Sequence, residues 1–535
     1  MSFQKHSISY DQTGYFSSIV SDYLNGDEKL RCFYEYFPSE TSVEAAILRK
    51  KELENRNRAH LAEALLTQYA SLEAADKVQE NIQLLLDANT FTITTAHQPN
   101  IFTGPLYFIY KILHVIKLAE YCNHKYSQYK FVPVYYMGSE DADLDELGHI
   151  YLNNEKLAWQ TSQSGAVGRM IVDEQLLHLV QRIEAEIGVL PHGQEIMDTV
   201  KKYYQKGTSI QQATLGFVHH LFGRYGLIVV IPDNAQLKAA AIDIFKDELL
   251  HQRSSEIVEK TIQQLSEAGY KVQAHGRDIN LFYLMDNGAR LRIEKRNDKW
   301  HVLDTDISFT EASLMQELEK HPERFSPNVI LRGLFQEMIL PNIIFVGGGG
   351  ELAYWLELKA IFQHYGVAYP ILILRNSFLI VNGKYAQQRE KLQFTIQDLF
   401  KNAQQLQNEW VLRNSDKKLS VDDSIAAIGT LFEKLSHQVV TVDTTLKAHI
   451  EALHKQSEKK IIEVGKKILR AEKRNQANAM QQIAQLKQAL FPNNNLQERI
   501  DNILPYYAVW GADFIDTLYQ YSNPFEQAFV VLEEA

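Results

Sequence analysis

The chain has 535 residues, of which 45% are hydrophobic and 23% are charged, and its formal net charge is -11. Because one hydrophobic core rarely grows beyond roughly 250 to 300 residues, we expect about two to four structural units. The acidic balance argues against nucleic acid as the main partner, since phosphate binding needs clustered Lys and Arg. The sequence has no apolar run of about 18 residues and begins without the apolar stretch of a secretory signal, which predicts a cytoplasmic protein with no membrane partner.

The cysteines and histidines do not indicate a zinc site or a nucleophile. Cys32 and Cys122 lie outside any CxxC pair, so we expect buried thiols. The 18 histidines include no HExxH pattern, and the chain contains no GxSxG elbow. We therefore assign no residue as a metal ligand or as a covalent nucleophile.

A helical N-terminal segment, residues 1–90, precedes a region of α/β texture. Residues 40–87 carry apolar side chains at helical spacing with few breakers. Short β-rich runs follow, with helical stretches between several of them: TFTITTA, KFVPVYYM, GLIVVIPD, NIIFVGGGG and YPILILRNS. Strands that alternate with helices predict an α/β fold over residues 91–383, with a Rossmann-like parallel sheet as its core.

Two further regions interrupt or follow this core. Residues 235–325 are less regular, and short strands around Asp286-Asn287-Gly288 predict an inserted antiparallel segment. Residues 384–492 have almost no strand signal, and apolar residues spaced three and four apart predict a long helical hairpin with an imperfect coiled coil. Pro492 ends this domain, because proline has no amide donor. The aromatic-rich segment 493–535 is expected to return to the core.

One stretch of the helical domain is strongly basic. Between Lys455 and Arg474 there are eight basic and three acidic residues. A solvated helix face explains such a run, and the edge of an anion or nucleotide site is the alternative.

Polar residues crowd the loop after the first core strand, in FTITTAHQPNIFTGPLYFIYKI. Ligands of open α/β sheets bind beyond the carboxyl ends of the strands. We expect the next helix to begin near Pro105 with Thr103 or Gly104 at its cap, so that free amides point at the loop. Lys111 would add a positive charge to this anion site. A plain capped helix with a surface lysine is the alternative.

Acidic residues follow the second core strand, namely Glu140, Asp141, Asp143, Asp145 and Glu146. Carboxylates this close repel one another, so the cluster needs a cation, an amine or water. The spacing does not fit an EF-hand, although Mg²⁺ carried by ATP would suit such ligands. A substrate amine is a second candidate, and a solvated acidic helix start is the alternative.

Glycines and an arginine follow two other core strands. Gly347 to Gly350 form neither a Walker A loop nor a GxGxxG fingerprint, and close approach of a ligand or tight packing would explain them. Arg375 suits a carboxylate or phosphate because its planar fork donates two hydrogen bonds, and a surface position is the alternative. Polar loops after four strands of one sheet favour a small-molecule site over a scaffold.

These segments, in this order, resemble the cysteine-adding enzyme of bacillithiol biosynthesis, the BshC family. The resemblance covers nearly the whole chain and rests on HQPNIFTGPLYFIYK, FVPVYYMGSEDADLDEL, NLFYL, LPNIIFVGGGGELAYWLELKAIF and PILILRNS, followed by the long coiled coil. Members often show a TGQQ-like sequence where this chain has TAHQ, and a GGPGE-like one where it has GGGGE. His97 lies in the first of these departures from the family pattern and Gly349 in the second, so the roles that the resemblance implies for them depend on the altered motifs.

The resemblance implies a Rossmann core with connective insertions and a coiled coil that forms a homodimer. It implies a ligase that joins L-cysteine to glucosaminyl malate through an amide bond, in the last step of bacillithiol biosynthesis. By analogy with related ligases, ATP, with Mg²⁺, would activate the cysteine carboxylate, and the glucosamine amine would then attack it. Another nucleotide-dependent sugar or acyl transferase is the alternative enzyme, and a non-catalytic coiled-coil partner protein is the alternative outside catalysis.

The resemblance also implies roles for individual residues. His97 would hold phosphate or malate oxygens, Lys111 would offset phosphate charge, and Glu140 or Asp141 would hold the substrate amine or act as a base on it, which makes these four the predicted catalytic residues. Arg375 would pair with a carboxylate. The predicted substrate- or nucleotide-binding residues are Gln98, Asn100, Thr103, Gly104, Tyr107, Ser139, Asp143, Gly347, Gly348, Gly349, Gly350, Glu351, Tyr354, Trp355, Arg375, Asn376 and Ser377.

Overall fold

The computed structural model describes residues 2–53, 57–273, 276–417 and 419–535. The chain divides into two compact units. We call Met1–Leu379 with Asn495–Leu532 the core unit, and Ile380–Asn494 with Glu533–Ala535 the helical unit. We predicted the helical domain at 384–492 and an N-terminal segment, residues 1–90, that packs on the core; in the structure these N-terminal residues are part of the core unit.

The strands of the described residues are β1 Phe3–Ile8, β2 Thr90–His97, β3 Lys130–Met137, β4 His149–Leu152, β5 Glu155–Ala158, β6 Ile228–Val230, β7 Leu281–Leu284, β8 Arg290–Arg296, β9 Lys299–Val302, β10 Ser308–Phe309, β11 Phe325–Pro327, β12 Asn342–Gly347, β13 Ile371–Leu374, β14 Ser377–Val381 and β15 Phe529–Glu534. The α-helices are α1 Tyr10–Thr13, α2 Ser18–Asn25, α3 Val43–Glu52, α4 Arg58–Tyr69, α5 Asp76–Leu84, α6 Tyr107–Lys125, α7 Leu144–Leu147, α8 Glu174–Ile187, α9 Gly193–Tyr203, α10 Ile210–Phe222, α11 Ala235–Ala239, α12 Ile242–His251, α13 Arg253–Glu267, α14 Glu311–Lys320, α15 Val329–Ile339, α16 Gly349–Leu356, α17 Lys359–Tyr365, α18 Gly383–Lys391, α19 Ala403–Asn414, α20 Asp422–Val440, α21 Lys447–Asn475, α22 Ala477–Leu490, α23 Ile503–Trp510 and α24 Ala512–Tyr521.

The central sheet has the strand order β13-β12-β2-β3-β6, and all its neighbours pair in parallel. The predicted Rossmann-like core is therefore confirmed, with each of the five β-rich runs supplying one strand. β2 and β3 are buried almost along their whole length because helices cover both faces of a parallel sheet. Their carboxyl ends, His97 and Met137, pair in register, so the loops that follow leave from one edge of the sheet.

A second sheet, antiparallel in the order β10-β9-β8-β7-β11, is inserted between α13 and α15. It contains the predicted hairpin, in which Gly288 adopts a φ of 88° between β7 and β8. A further insertion, the β4–β5 hairpin with α8 to α10, separates β3 from β6. We did not predict this insertion, since helices that pack on one another have the same periodicity as helices that cover a sheet.

The N-terminal segment contains helices α3 to α5, as the spacing over 40–87 predicts, but it begins with a strand. β1 lies next to β15 of the C-terminal segment in a three-stranded sheet. Helical periodicity over 40–87 carried no information about these first residues.

The helical unit contains the predicted hairpin, formed by α20 and α21 of 19 and 29 residues. The chain turns between them at Asp443, whose side chain accepts a hydrogen bond from the amide of Thr445 at 2.8 Å. Among the described residues, no helix is both long enough and apolar enough to span a membrane.

Candidate functional site

A cavity of about 510 Å³ opens in the core unit at the carboxyl-end edge of the central sheet. It is lined by the ends of β2 and β3, by the loop between β12 and α16, and by side chains from α6 and α15. The predicted site residues that line it are His97, Gln98, Tyr107, Lys111, Gly348, Gly349, Gly350, Glu351, Tyr354 and Arg375.

His97 ends β2 and its ring lies in an aromatic corner of the cavity. The ring centroid is 5.3 Å from those of Tyr107 and Phe108. Burial, together with the charges of Lys111 and nearby arginines, holds the pKa of His97 well below its usual range. Its Nε2 has no hydrogen-bond partner in the described part of the chain. A neutral imidazole with one free nitrogen can donate to or accept from a ligand.

Lys111 and Glu351 form a buried ion pair at the wall of the cavity. The Lys111 ammonium contacts Glu351 and donates to the carbonyl of Ala96 at 2.9 Å. Glu351 also accepts from the amide of Gly348 at 2.7 Å, which caps α16. Burial lowers the pKa of Lys111, and Glu351 partly opposes this effect. The surface-lysine alternative is therefore wrong, because Lys111 is only 2% exposed.

Two reasons account for the four glycines. A Cβ at Gly347 would lie 2.9 Å from Leu352 and from Phe345, so close packing requires glycine there. A Cβ at Gly350 would meet nothing within 4 Å, and Gly348 to Gly350 all line the cavity. Tight packing therefore accounts for Gly347, whereas close approach of a ligand to Gly348–Gly350 stays a prediction.

Arg375 is buried behind the cavity and partly exposes its guanidinium to it. Its Nη2 donates to Glu498 at 2.6 Å, and its Nη1 donates to the carbonyl of Asn376 and to Ser377 Oγ. Nε has no partner among the described residues. The surface-arginine alternative is also wrong, since Arg375 is 2% exposed.

Asp141 lies beside the cavity and is held by two other elements. Gln98 donates to Asp141 Oδ2 at 3.1 Å, and Arg332 Nη1 on α15 lies 3.6 Å from the same oxygen. Burial alone would raise the pKa of Asp141, but Arg332 and Gln98 outweigh it and hold the pKa below its usual range. Asp141 is therefore a carboxylate at neutral pH, although it is not one of the residues that line the cavity.

Glu140, predicted as a catalytic residue, does not line the cavity. Its carboxylate contacts Lys238, which is fully buried and lies 3.7 Å from Asp233. Arg169 completes the network with two bonds to Asp233, at 2.6 and 2.7 Å. A carboxylate engaged in this buried network anchors the loop after β3, so its place in the structure argues for a structural role.

Other predicted residues also lie outside the cavity lining. Trp355 stacks on Phe345 in the core at 4.5 Å, and Asp143 caps α7 by accepting from the amide of Glu146. Gly347 and Ser377 are buried at strand ends, and the remaining members of this group are buried in the loops around the site: Asn100, Thr103, Gly104, Ser139 and Asn376.

The helix after this loop begins near Pro105, as predicted, but the predicted cap at Thr103 or Gly104 is wrong. α6 begins at Tyr107, and the preceding amide of Leu106 donates to the carbonyl of Asp501 at 2.8 Å. Phe102 and Thr103 have φ of 50° and 72°, so the loop makes a tight turn instead of a helix cap.

The five carboxylates after β3 do not converge. Glu140 and Asp141 bind different cations, and Asp143 caps a helix. Within the described ranges, no group of three or more His, Cys, Asp or Glu side chains is arranged to hold a metal ion.

Sequence reasoning missed several lining residues, among them Tyr136, Arg332 and Arg499. Arg332 had a readable signal, since it is a lone charge in the apolar stretch VILRGLF. Arg499 had none, because no strand precedes it. The charged side chains that line the cavity are cationic in excess: Lys111, Arg332, Arg375 and Arg499 against Glu146 and Glu351.

Asp501, beside the loop that precedes α6, should make stability depend on pH. Burial raises its pKa to about 6, while Tyr506 donates to its Oδ2 at 2.7 Å. The folded protein holds this proton more tightly than the unfolded chain, so its contribution to stability is present below about pH 4 and is lost as pH rises through about 6. We expect Asp501→Asn to raise the free energy of unfolding at pH 7 by about 2 kcal/mol and to leave it unchanged at pH 4. Urea titrations at the two pH values test this, and an equal gain at both would contradict it.

Comparison with known proteins identifies the family. The model of the BshC N-terminal Rossmann-like domain of bacillithiol biosynthesis matches residues 3–376, and that of the BshC C-terminal coiled-coil domain matches residues 378–534. Three similar proteins carry the name "Putative cysteine ligase BshC". The one from Flavobacterium johnsoniae is 38% identical over 98% of this chain and 99% of its own length. Those from Flavobacterium psychrophilum and Christiangramia forsetii are also 38% identical, over 99% and 98% of both chains respectively. The chain therefore belongs to the BshC family of bacillithiol biosynthesis.

Proposed function

We propose that this chain is a cysteine ligase that joins the carboxyl group of L-cysteine to the amine of glucosaminyl malate, completing bacillithiol. The relatives' shared name and their full-length similarity support this activity. The observation that carries the proposal is the cationic cavity at the carboxyl-end edge of the central sheet. Sheets of this class bind their ligands at that edge.

The charges of the cavity fit the proposed substrates. Glucosaminyl malate carries two carboxylates and an ammonium group, and arginine binds carboxylates in a planar, two-bond geometry. Arg332 and the free Nε of Arg375 provide donors for the carboxylates. Asp141, held as a carboxylate by Arg332, is the residue that we assign to the substrate amine.

Amide formation needs an activated carboxyl group, and we propose that ATP, with Mg²⁺ bound to its phosphates, supplies that activation. The donor set fits a polyphosphate, since Lys111 and Arg332 are fixed cations that need no rearrangement to face one. His97, kept neutral, would hold an oxygen of the same ligand through Nε2.

The activity can be tested with the purified chain. Incubation with glucosaminyl malate, cysteine and ATP is expected to yield bacillithiol, detected by mass spectrometry of the derivatised thiol. Omission of ATP is expected to abolish the product. Bacillithiol formed equally without ATP would refute the ATP requirement, and no bacillithiol under any condition would refute the ligase assignment.

A strain lacking the gene for this chain distinguishes the alternatives. Loss of bacillithiol with accumulation of glucosaminyl malate is expected for the cysteine ligase. A different sugar or acyl transferase would leave both metabolites unchanged. A coiled-coil partner protein would need another chain for the activity, so the purified chain alone would be inactive.

We also propose that the chain forms a homodimer through its helical unit and works in the cytoplasm, where thiols stay reduced. The hairpin exposes apolar side chains at Leu446, Leu453, Ile462 and Val464. Light scattering should give about twice the chain mass of 61.6 kDa. Leu453→Glu with Ile462→Glu should reduce it to the monomer mass, and an unchanged mass would reject this interface.

A further inference from the structure

The segment Gln497–Asn502, which we call the return segment, follows the helical unit in sequence and re-enters the core unit. Three of its side chains reach the candidate site or the loops that form it: Glu498, Arg499 and Asn502. None of them carries a strand-end signal in the sequence. Their contacts show what each one does.

Glu498 fixes the guanidinium of Arg375. It is fully buried, and its Oε1 accepts from Arg375 Nη2 at 2.6 Å, while its Oε2 accepts from the amide of Phe378 at 3.2 Å. Both terminal nitrogens of Arg375 are thereby occupied by protein. The remaining donor, Nε, has no partner in the described part of the chain and lies near Gly348 at the cavity.

Asn502 holds the tight turn between His97 and Lys111. Its Nδ2 donates to the carbonyls of Phe102 and Gly104, at 2.9 and 2.6 Å. Phe102 and Thr103 have positive φ, a conformation that costs about 1 to 3 kcal/mol for a residue other than glycine. Such a turn persists only when its surroundings hold it, and Asn502 provides two of the bonds that do so.

Arg499 lines the cavity and is exposed at its mouth. Across the described residues, its guanidinium forms no ion pair with any of the carboxylates, in contrast to Arg375 and Arg332. It follows directly on Glu498, whose burial fixes the backbone there. An arginine that lines a cationic cavity and forms no hydrogen bond or ion pair with the described residues is suited to an anionic ligand.

We infer that the return segment is part of the binding site: Arg499 binds an anionic group of the substrate at the mouth of the cavity, and Glu498 and Asn502 are positioning residues. The inference rests on the proposed function for the identity of the ligand. Two candidate ligands would offer Arg499 the same kind of group, because a malate carboxylate and a phosphate of ATP both present anionic oxygens.

Calorimetric titration of full-length protein with two probes tests the role of Arg499. Glucosaminyl malate is the proposed substrate, and inorganic pyrophosphate is a phosphate probe that does not depend on that proposal. We expect Arg499→Met to weaken binding of at least one probe about tenfold, the loss typical of one charged hydrogen bond, without changing the melting temperature. Arg292→Met is the control, because Arg292 is an exposed arginine of the core unit that does not line the cavity.

The two probes separate the possible failures. If R499M weakens pyrophosphate only, Arg499 binds phosphate. If it weakens glucosaminyl malate only, Arg499 binds the malate carboxylates. Wild-type protein could bind pyrophosphate but not glucosaminyl malate, and R499M could then fail to bind pyrophosphate. That result would support the role of Arg499 and refute the proposed substrate. Wild-type affinity of R499M for both probes overturns the inference alone, and wild-type protein that binds neither overturns both.

A double-mutant cycle tests the positioning role of Glu498. If Glu498 acts through Arg375, Glu498→Gln should weaken binding of the probe in wild-type protein and have no further effect in the Arg375→Met background. Circular dichroism at the titration temperature checks that each variant is folded. If Glu498→Gln lowers the affinity for the probe equally in both backgrounds, Glu498 does not act through Arg375 and has only a structural role.

Discussion

Replacement of Lys111 with methionine is expected to lower kcat/KM for bacillithiol formation by about a hundredfold to a thousandfold, the effect of removing one fixed charge from an electrostatic site. The ammonium lies at the wall of the cavity, held by Glu351 and by the carbonyl of Ala96. It is therefore in place before any anion binds, and it needs no reorganisation when negative charge develops. The measurement is the initial rate at several concentrations of ATP and of glucosaminyl malate.

Lys117→Met provides the matched control on the same helix. Lys117 lies near Glu120 on the partly exposed face of α6, 3.6 Å from its carboxylate, and does not line the cavity. It should retain the wild-type rate. Wild-type activity in K111M would show that the reaction does not use this wall of the cavity. A loss of activity that follows a loss of folded protein would assign Lys111 a structural role, and far-ultraviolet circular dichroism distinguishes these cases.

The second large effect is expected at Lys238. This fully buried ammonium lies between Glu140 and Asp233 and also donates to the carbonyl of Glu323 at 2.9 Å. Lys238→Met would leave the Glu140 carboxylate buried without its cation, while Asp233 would keep its two bonds from Arg169. Breaking a buried pair in this way costs about 3 to 5 kcal/mol of the free energy of unfolding, which urea denaturation measures.

Two variants make this prediction specific. Lys246→Met, at an exposed position of α12, should change stability by less than about 0.5 kcal/mol. Glu140→Gln added to K238M should recover part of the lost stability, because it removes the carboxylate that has lost its cation. A loss below about 1 kcal/mol in K238M would mean that water or rearrangement satisfies the carboxylates, and Glu140 would again be a candidate for catalysis.

The adjacent residues Glu140 and Asp141 show which feature of the site the sequence could not predict, namely the partner of each carboxylate. Both follow β3 in one acidic stretch, and the resemblance implied the same role for both. Their partners come from distant segments: Lys238 for Glu140, and Gln98 and Arg332 for Asp141. The sequence around a carboxylate does not predict which distant cation will pair with it.

The sequence by itself determined the parallel core, the antiparallel insertion, the helical hairpin and the edge of the sheet where the site lies. These features depend on periodicity and on residues near one another along the chain, such as the β-rich runs and the glycines after β12. It also identified His97, Lys111 and Arg375 as residues of that edge.

Only the tertiary structure decided which side chains face the cavity. Arg332 comes from a helix that precedes β12, and Arg499 comes from the return segment, more than a hundred residues beyond the last strand of the central sheet. The elements that carry these charges are positioned by the burial of their apolar surfaces. The place where the charged side chains come together therefore depends on how whole elements pack. For that reason the sequence predicted where the candidate site lies, whereas the packing of the elements determined which charged side chains line it.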